Sequence, residues 1–265
     1  MISRQNLAAD THSASTIDMK TIDPNRYERQ LAMPEIGEAG QHTLEAASVA
    51  ICGLGGLGSA ASLYLAAAGV GRLVLIDHGA VELSNLNRQV LYGDDDLGAR
   101  KAARAKERLA RLAPSAQLDA HDAVIDLASA STLLADVDVV VDAMDNFEGR
   151  HAVNAACVAH QTPLVHGACA GFEGRVASLL FEQGPCLSCL YADPPTQDGP
   201  TPILGATAGL VGAAQAGEAI RVLLGVPALA QRLLLVDTAR WDVRTLIVKR
   251  RMDCPVCGVG SADGE

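Results

Sequence analysis

Gly53-Leu54-Gly55-Gly56-Leu57-Gly58 is a G-x-G-x-x-G turn set between an apolar run, Ser48 to Cys52, and a small-residue helical run, Ser59 to Ala68, ended by Gly69. A strand that enters such a turn and a helix that leaves it bring free backbone N–H groups and the positive end of a helix to one point, where phosphate is favoured. Arg72 to Asp77 supplies the next strand, so the unit is βαβ, whose helix must cover one face of a parallel sheet. Asp77 ends that strand, where a carboxylate can accept hydrogen bonds from ribose hydroxyls. Gly53, Gly55, Gly56, Gly58 and Asp77 are therefore candidate nucleotide ligands. The competing reading is a tight structural turn beside a surface acid, and the turn alone does not separate ATP from NAD.

The rest of the chain continues the alternation. A basic helix is expected from about Ala99 to Leu112, stopped by Pro114, then a strand from Val137 to Asp142 and a helix around Arg150 to His160. A strand at Pro163 to Gly167, a turn at Gly171 to Gly174 and a β-rich stretch from Arg175 to Phe181 depart from strict α/β order. A Pro-rich crossover (Ala192 to Pro202), a helix from Gly205 to Leu224, and strands near Leu233 to Val236 and Val243 to Val248 follow. Upstream, Pro24 opens a helix through Leu31, before a Gly37/Gly40 loop and a short helix to Leu44. The expected fold is α/β: a Rossmann-like, doubly wound, mainly parallel sheet with a C-terminal antiparallel extension. Residues 1–22 lack periodic apolar positions and read as a flexible tail before one domain, residues 23–265.

Hydrophobic residues make up 49% of the chain but only 3% of it is aromatic, so the core must be aliphatic and an aromatic nucleic-acid platform is excluded. A formal net charge of −10 opposes nucleic acid and anionic membrane as partners. The polar start and the absence of a long uncharged apolar run point to a soluble, cytoplasmic protein.

Cys186-Leu187-Ser188-Cys189 and Cys254-Pro255-Val256-Cys257 are two C-x-x-C pairs. Four thiolates at this spacing suit a closed tetrahedral zinc site, structural because no position remains for water. Such a site ties the C-terminal tail to the main fold. Redox pairs or unconnected core thiols are the alternatives. Cys52, Cys157 and Cys169 lie in or beside apolar runs and read as core residues.

Asn85-Leu86-Asn87-Arg88-Gln89 follows the second strand, and Lys101 opens the basic helix, both on the nucleotide side. Arg104, Arg108 and Arg111, at helical spacing, read as a solvated face. Asp142-Ala143-Met144-Asp145-Asn146 closes a strand at the sheet end where doubly wound folds bind ligands. Asp145 is a candidate Mg²⁺ ligand, the alternative being an exposed strand-end acid.

These ordered motifs, with Arg26-Tyr27-Glu28-Arg29-Gln30, Ala66 to Gly71, Val81 to Val90, Val141 to Asn146, Gly171 to Gly174 and both cysteine pairs, resemble the E1-like adenylyltransferases of molybdopterin and thiamine biosynthesis, relatives of the ubiquitin-activating enzymes. The resemblance spans Arg26 to Gly258. It implies ATP- and Mg²⁺-dependent adenylation of the C-terminal Gly-Gly carboxylate of a small ubiquitin-like sulfur-carrier protein, releasing pyrophosphate. By motif position it assigns ribose to Asp77 and the triphosphate to Arg29, Arg88 and Lys101. It assigns the metal to Asp145, with Asn85 and Gln89 in the nucleotide site, and places Arg29 in a partner subunit's site, hence a homodimer.

Two positions depart from that pattern. Asp198-Gly199-Pro200-Thr201-Pro202-Ile203-Leu204-Gly205 stands where many relatives carry a loop cysteine, so no thioester step is expected. Gly79 stands where relatives often carry a second acid. Rival readings are adenylation of another peptide C-terminus, a noncatalytic binding or scaffold protein of the same fold, and, last, an NAD-dependent oxidoreductase.

Overall fold

The computed structural model describes residues 22–181, 184–192, 199 and 201–258. The tail reading, for residues 1–21, and Asp198 and Pro200 of the crossover lie outside them. In chain order the strands are β1 (Ser48–Cys52), β2 (Arg72–Ile76), β3 (Gln117–His121), β4 (Val139–Asp142), β5 (Leu164–Ala170), β6 (Glu173–Leu179), β7 (Arg232–Asp237) and β8 (Asp242–Ile247). They lie side by side as β3-β2-β1-β4-β5-β6-β7-β8. β3 through β5 are parallel, and β5 through β8 are antiparallel. The direction of winding reverses between β1 and β4, where a crevice opens beyond the strand ends.

The helices are α1 (Pro24–Leu31), α2 (Gly37–Ala46), α3 (Gly56–Ala67), α4 (Lys101–Leu112), α5 (Ala130–Leu133), α6 (Phe147–His160), α7 (Leu187–Leu190) and α8 (Gly205–Leu223). Strand alternation feeds two cores. Val49 and Ile51 of β1 pack with Leu73, Leu75, Val141, Leu65, Leu109 and Val211 on one face. Ala50 and Cys52 pack with Val74, Val140, Val153 and Cys157 on the other. Because both faces are covered, the parallel strands are continuously apolar rather than alternating. The scarcity of aromatics has a counterpart in close helix contact: a Cβ on Gly212 of α8 would overlap the Leu57 carbonyl of α3.

Several elements differ from the sequence reading, which does not include the short helices α5 and α7. Gly37 and Gly40 belong to α2 rather than to a loop, and a Cβ on Gly40 would press on Leu224 Cδ2 at 3.1 Å. Glu173 and Gly174 belong to β6 rather than to a turn, and a Cβ on Gly174 would lie 2.5 Å from Val211 Cγ2. β3 was not expected at all. Its sequence, Gln-Leu-Asp-Ala-His, is polar because it is an edge strand with only Leu118 buried, and Asp119 is held by Arg72 Nε at 2.7 Å. Among the described residues, no helix is long and apolar enough to cross a membrane.

Candidate active site

The glycine turn leaves β1 with Gly53 at φ +90°, a left-handed conformation that disfavours a side chain. A Cβ on Gly53 would lie 2.7 Å from the Ala143 carbonyl oxygen, and one on Gly58 would overlap the Gly53 carbonyl. Both glycines therefore bring α3 and the end of β4 against the turn. A Cβ on Gly55 would meet only Gln89 Nε2, at 3.8 Å, so the space over the start of α3 is open. No side chain caps α3, which leaves its first N–H groups for a ligand. Gln89 is 4% exposed and its Oε1 has no hydrogen-bond partner among the described residues. An unpaired buried amide oxygen costs stability. An open glycine cradle and an amide left waiting both fit a bound nucleotide.

Asp77 receives the Leu54 N–H on Oδ2 at 2.8 Å and the Gly79 N–H on Oδ1 at 2.7 Å. Each oxygen keeps a lone pair for a hydroxyl donor. Lys101 is tied to the same loop by its N–H to the Gly79 carbonyl at 3.0 Å. A Cβ on Gly79 would stand 3.1 Å from Asp77 Oδ1 and 3.4 Å from Lys101 Nζ. The absence of an acid at 79 thus leaves Lys101 without a second carboxylate in front of it. Asn85 spends its amide on its own turn, accepting from Glu82 N–H at 3.2 Å and donating to Ser84 Oγ at 3.3 Å. It shapes the loop that presents Arg88 and Gln89. Arg88 donates to the Ser84 carbonyl at 2.8 Å and to Asn87 Oδ1 at 3.1 Å, and its Cγ lies against Gly56. Gly205 packs on the backbone of Asn87 and Arg88, so α8 also frames this loop.

Asp145 is exposed and receives one hydrogen bond, from Asn146 Nδ2 at 3.2 Å. Asn146 caps α6 by accepting the Gly149 N–H at 2.8 Å. The Asp145 carboxylate keeps most of its acceptor capacity for a hard cation.

The structure joins Gly53, Gly55, Gly56, Gly58, Asp77, Arg88, Gln89, Lys101 and the Asp145 loop at the β1/β4 crevice, and leaves Arg29 elsewhere. Gln30 Nε2 reaches Gln41 Oε1 at 2.7 Å and the Ala68 carbonyl at 3.1 Å, and Tyr27 lies against Gly69. These contacts seat α1 at the far end of α3, and a helix of 12 residues spans about 18 Å. Arg29 is exposed there and has no partner among the described residues.

Of the basic helix, Arg104 and Arg108 do more than face solvent. Both pair with the buried carboxylate of Asp96, at 3.5 and 3.0 Å.

Several residues of the site escaped the sequence reading. Tyr92 is buried, and its hydroxyl donates to the Leu54 carbonyl at 3.1 Å with the Lys101 carbonyl at 3.4 Å, bridging the turn to α4. Burial, with Asp77 and Asp96 nearby, holds that phenol well above its usual range. Asp142, Arg150 and His166 form a buried group behind Asp145. In sequence Asp142 and His166 show as titratable residues inside apolar strands, and Arg150 as one of several polar residues of α6.

Cys186, Cys189, Cys254 and Cys257 converge as expected, their sulfurs all within 4.8 Å of one another. Two of the separations are 3.6 Å (Cys186–Cys254) and 3.5 Å (Cys189–Cys257). Four sulfurs about 2.3 Å from a central ion stand about 3.8 Å apart, so the cluster fits a tetrahedral metal. Burial pushes the Cys186 and Cys257 thiols up. Cys254 is drawn down to about 7, its burial outweighed by the backbone N–H groups of Cys257 and Val256 and the neighbouring Cys189 and Cys186 thiols. Cys52 and Cys157 are core residues, and Cys169, half-buried, packs against the edge of the core.

A family model described as the ThiF family matches residues 27–256. The chain belongs to the ThiF family. It is 43% identical over 246 residues to a sulfur carrier protein adenylyltransferase of Thermus thermophilus, covering 88% of this chain and 90% of that protein. It is 41% identical over 255 residues to the SAMP-activating enzyme E1 of Haloferax volcanii, covering 94% of each. It is 40% identical over 250 residues to the ThiS adenylyltransferase of Escherichia coli, covering 92% of this chain and 99% of that protein. Among solved structures, E. coli MccB has the same fold, with a TM-score of 0.80 at 22% identity over 90% of this chain and 75% of that one. This ThiF-family chain is an E1-like adenylyltransferase, as the motifs imply.

Proposed function

We propose that this protein uses ATP to adenylate the C-terminal Gly-Gly carboxylate of a small ubiquitin-like sulfur-carrier protein, releasing pyrophosphate. The observation that carries this reading is the convergence of the glycine turn, Asp77, Arg88, Gln89, Lys101 and Asp145 on one crevice. The acceptor class rests on relatives whose names specify sulfur carriers or SAMP activation.

A carboxylate acceptor is already ionised near neutral pH, so the reaction needs no general base. It needs neutralised phosphate charge and an in-line approach to the α-phosphorus. The N–H groups at the start of α3 hold phosphate, Asp77 orients the ribose, and Arg88 and Lys101 offset charge on the triphosphate. Asp145 holds Mg²⁺, which supplies Lewis-acid screening of the phosphates. Arg29 completes the site from a second subunit, which the remote seat of α1 supports, so the active unit is a homodimer. The four cysteines hold zinc and fasten residues 254–257 to α7. The strongly acidic chain works in the cytoplasm with no nucleic-acid or membrane partner.

The test is ATP–pyrophosphate exchange with and without a Gly-Gly-ending carrier. Exchange that depends on the carrier, and falls about 10²-fold or more in Arg88→Ala and Asp145→Ala, is expected. Exchange that ignores the carrier, or survives both substitutions, sinks the assignment. Metal analysis of protein purified without chelator should give one zinc per chain.

A further inference from the structure

Behind the Asp145 loop runs a buried chain of polar side chains that connects it to the cysteine knuckle. The Met144 N–H donates to Asp142 Oδ1 at 3.0 Å. Asp142 Oδ2 lies 2.7 Å from His166 Nδ1, and His166 Nε2 lies 3.1 Å from the Tyr191 hydroxyl. Tyr191 follows α7 directly, its N–H bonded to the Leu187 carbonyl at 2.9 Å. Since an ionised carboxylate only accepts, Nδ1 carries the proton to Asp142, and the bare Nε2 accepts from Tyr191.

A second route runs in parallel. The Tyr191 ring meets Phe147 edge-on, with centroids 5.5 Å apart, and Phe147 is the first residue of α6 after Asp145-Asn146. Arg150 lies 5.6 Å over the Phe147 ring and donates to the carbonyls of Met144 and Gly167. α7 itself is pinned to α6 by the Leu187 N–H on Asn154 Oδ1 at 2.8 Å. Met144, one residue before Asp145, is thus held at both its N–H and its carbonyl by groups that lead to Tyr191.

We propose that the four-cysteine knuckle sets the position of the Asp145 carboxylate through Tyr191 and His166, which are positioning residues for the divalent metal of the nucleotide site. This rests on the reading of Asp145 as that metal's ligand. With the knuckle closed, Tyr191 is seated, the tautomer of His166 is fixed, and Asp142 holds Met144. With the Tyr191 hydroxyl removed, His166 loses its acceptor duty and the loop gains freedom, while the ring still packs on Phe147.

Mn²⁺ binding in the presence of ATP, followed by its EPR signal, tests this in full-length Tyr191→Phe, His166→Asn and Asp145→Ala proteins, with the Mg²⁺ dependence of exchange beside it. Tyr191→Phe keeps the ring and should keep melting temperature, zinc content and the KM for carrier. Its Mn²⁺ affinity, and its half-saturating Mg²⁺, should nonetheless weaken about three- to tenfold, the size of one lost neutral hydrogen bond. Its kcat should recover at saturating Mg²⁺. His166→Asn, which retains a donor toward Asp142, should weaken Mn²⁺ similarly. Wild-type Mn²⁺ affinity in Tyr191→Phe, with Asp145→Ala weakened, overturns the proposal and spares the reading of Asp145. Unchanged affinity in Asp145→Ala overturns both.

Discussion

The imidazole of His166 and the carboxylate of Asp142 stand 2.7 Å apart with both side chains wholly shielded from solvent. Burial lowers the pKa of His166 despite Asp142. Burial alone would raise that of Asp142, but the Arg150 charge, His166 and the Met144 N–H together hold it below the usual carboxylate range. The pair is neutral imidazole on an ionised carboxylate, and both depressed values link to stability with the same sign. Below about pH 6.5 an unfolded histidine binds a proton that the folded one refuses, so stability falls as pH drops through that value. Asp142 adds its share only below about pH 4, where the unfolded carboxylate begins to protonate.

Thermal unfolding between pH 8 and 5 should therefore show a loss on the acid side, with a slope of up to about 1.4 kcal/mol per pH unit. His166→Asn should be less stable at pH 8 and should flatten that slope. A slope in His166→Asn equal to that of the wild type would remove His166 as its cause.

The βαβ unit is legible because its signals coincide: a buried five-residue strand, two glycines forced by backbone contact, and an acid at the next strand end. The cysteine site is legible because metal geometry demands a spacing that core packing does not. β3 is illegible because an edge strand half in water carries Asp119 and His121, which local propensity reads as loop. The remote seat of Arg29 is legible only through the family resemblance, since the contacts that fix it, Gln30 and Gln41 meeting at the Ala68 carbonyl, span a large sequence separation. Asp142 and His166 look like strand residues until both faces of the sheet are covered. Burial then turns two polar side chains into a constraint.

Glycines of the turn should separate by role. Gly58→Ala would drive its methyl group into the Gly53 carbonyl, which packed backbone cannot yield, and a loss of about 3 kcal/mol or more is expected. Gly55→Ala meets nothing nearer than Gln89 Nε2. It should melt within a few degrees of the wild type while losing ATP affinity, as measured by calorimetry, because the methyl group fills the cradle. Equal ATP affinity in Gly55→Ala would place the phosphates elsewhere.

Arg29 and Asp145 should complement across subunits. Each single alanine variant is expected to lose exchange by about 10²-fold or more. In mixed dimers, one crevice combines an intact Asp145 with an intact Arg29 from its neighbour, so co-refolded variants should regain up to about half of the wild-type activity per mixed dimer, with the other crevice lacking both groups. No recovery, despite mass-verified mixed dimers, would mean that Arg29 serves its own chain or neither.

Activation should end at the acyl adenylate, with no covalent thioester between enzyme and carrier. The crossover sequence offers Thr201, a hydroxyl rather than a thiol, and a neutral hydroxyl is a weaker nucleophile than a thiolate. Cys169, on β5 opposite Gly174, is the nearest challenge, because it is half-buried and feels the positive charges of Arg150 and Arg88. Burial prevails over both cations and pushes its pKa up to about 11. At pH 7 only about one Cys169 side chain in 10⁴ is then a thiolate, and the thiolate is the attacking form. Enzyme, ATP, Mg²⁺ and carrier incubated together should show, by intact mass and by electrophoresis without reductant, unmodified enzyme. Carrier adenylate should accumulate to the level of active sites. A reducible adduct of enzyme plus carrier mass that disappears in Cys169→Ala would assign the nucleophile to Cys169.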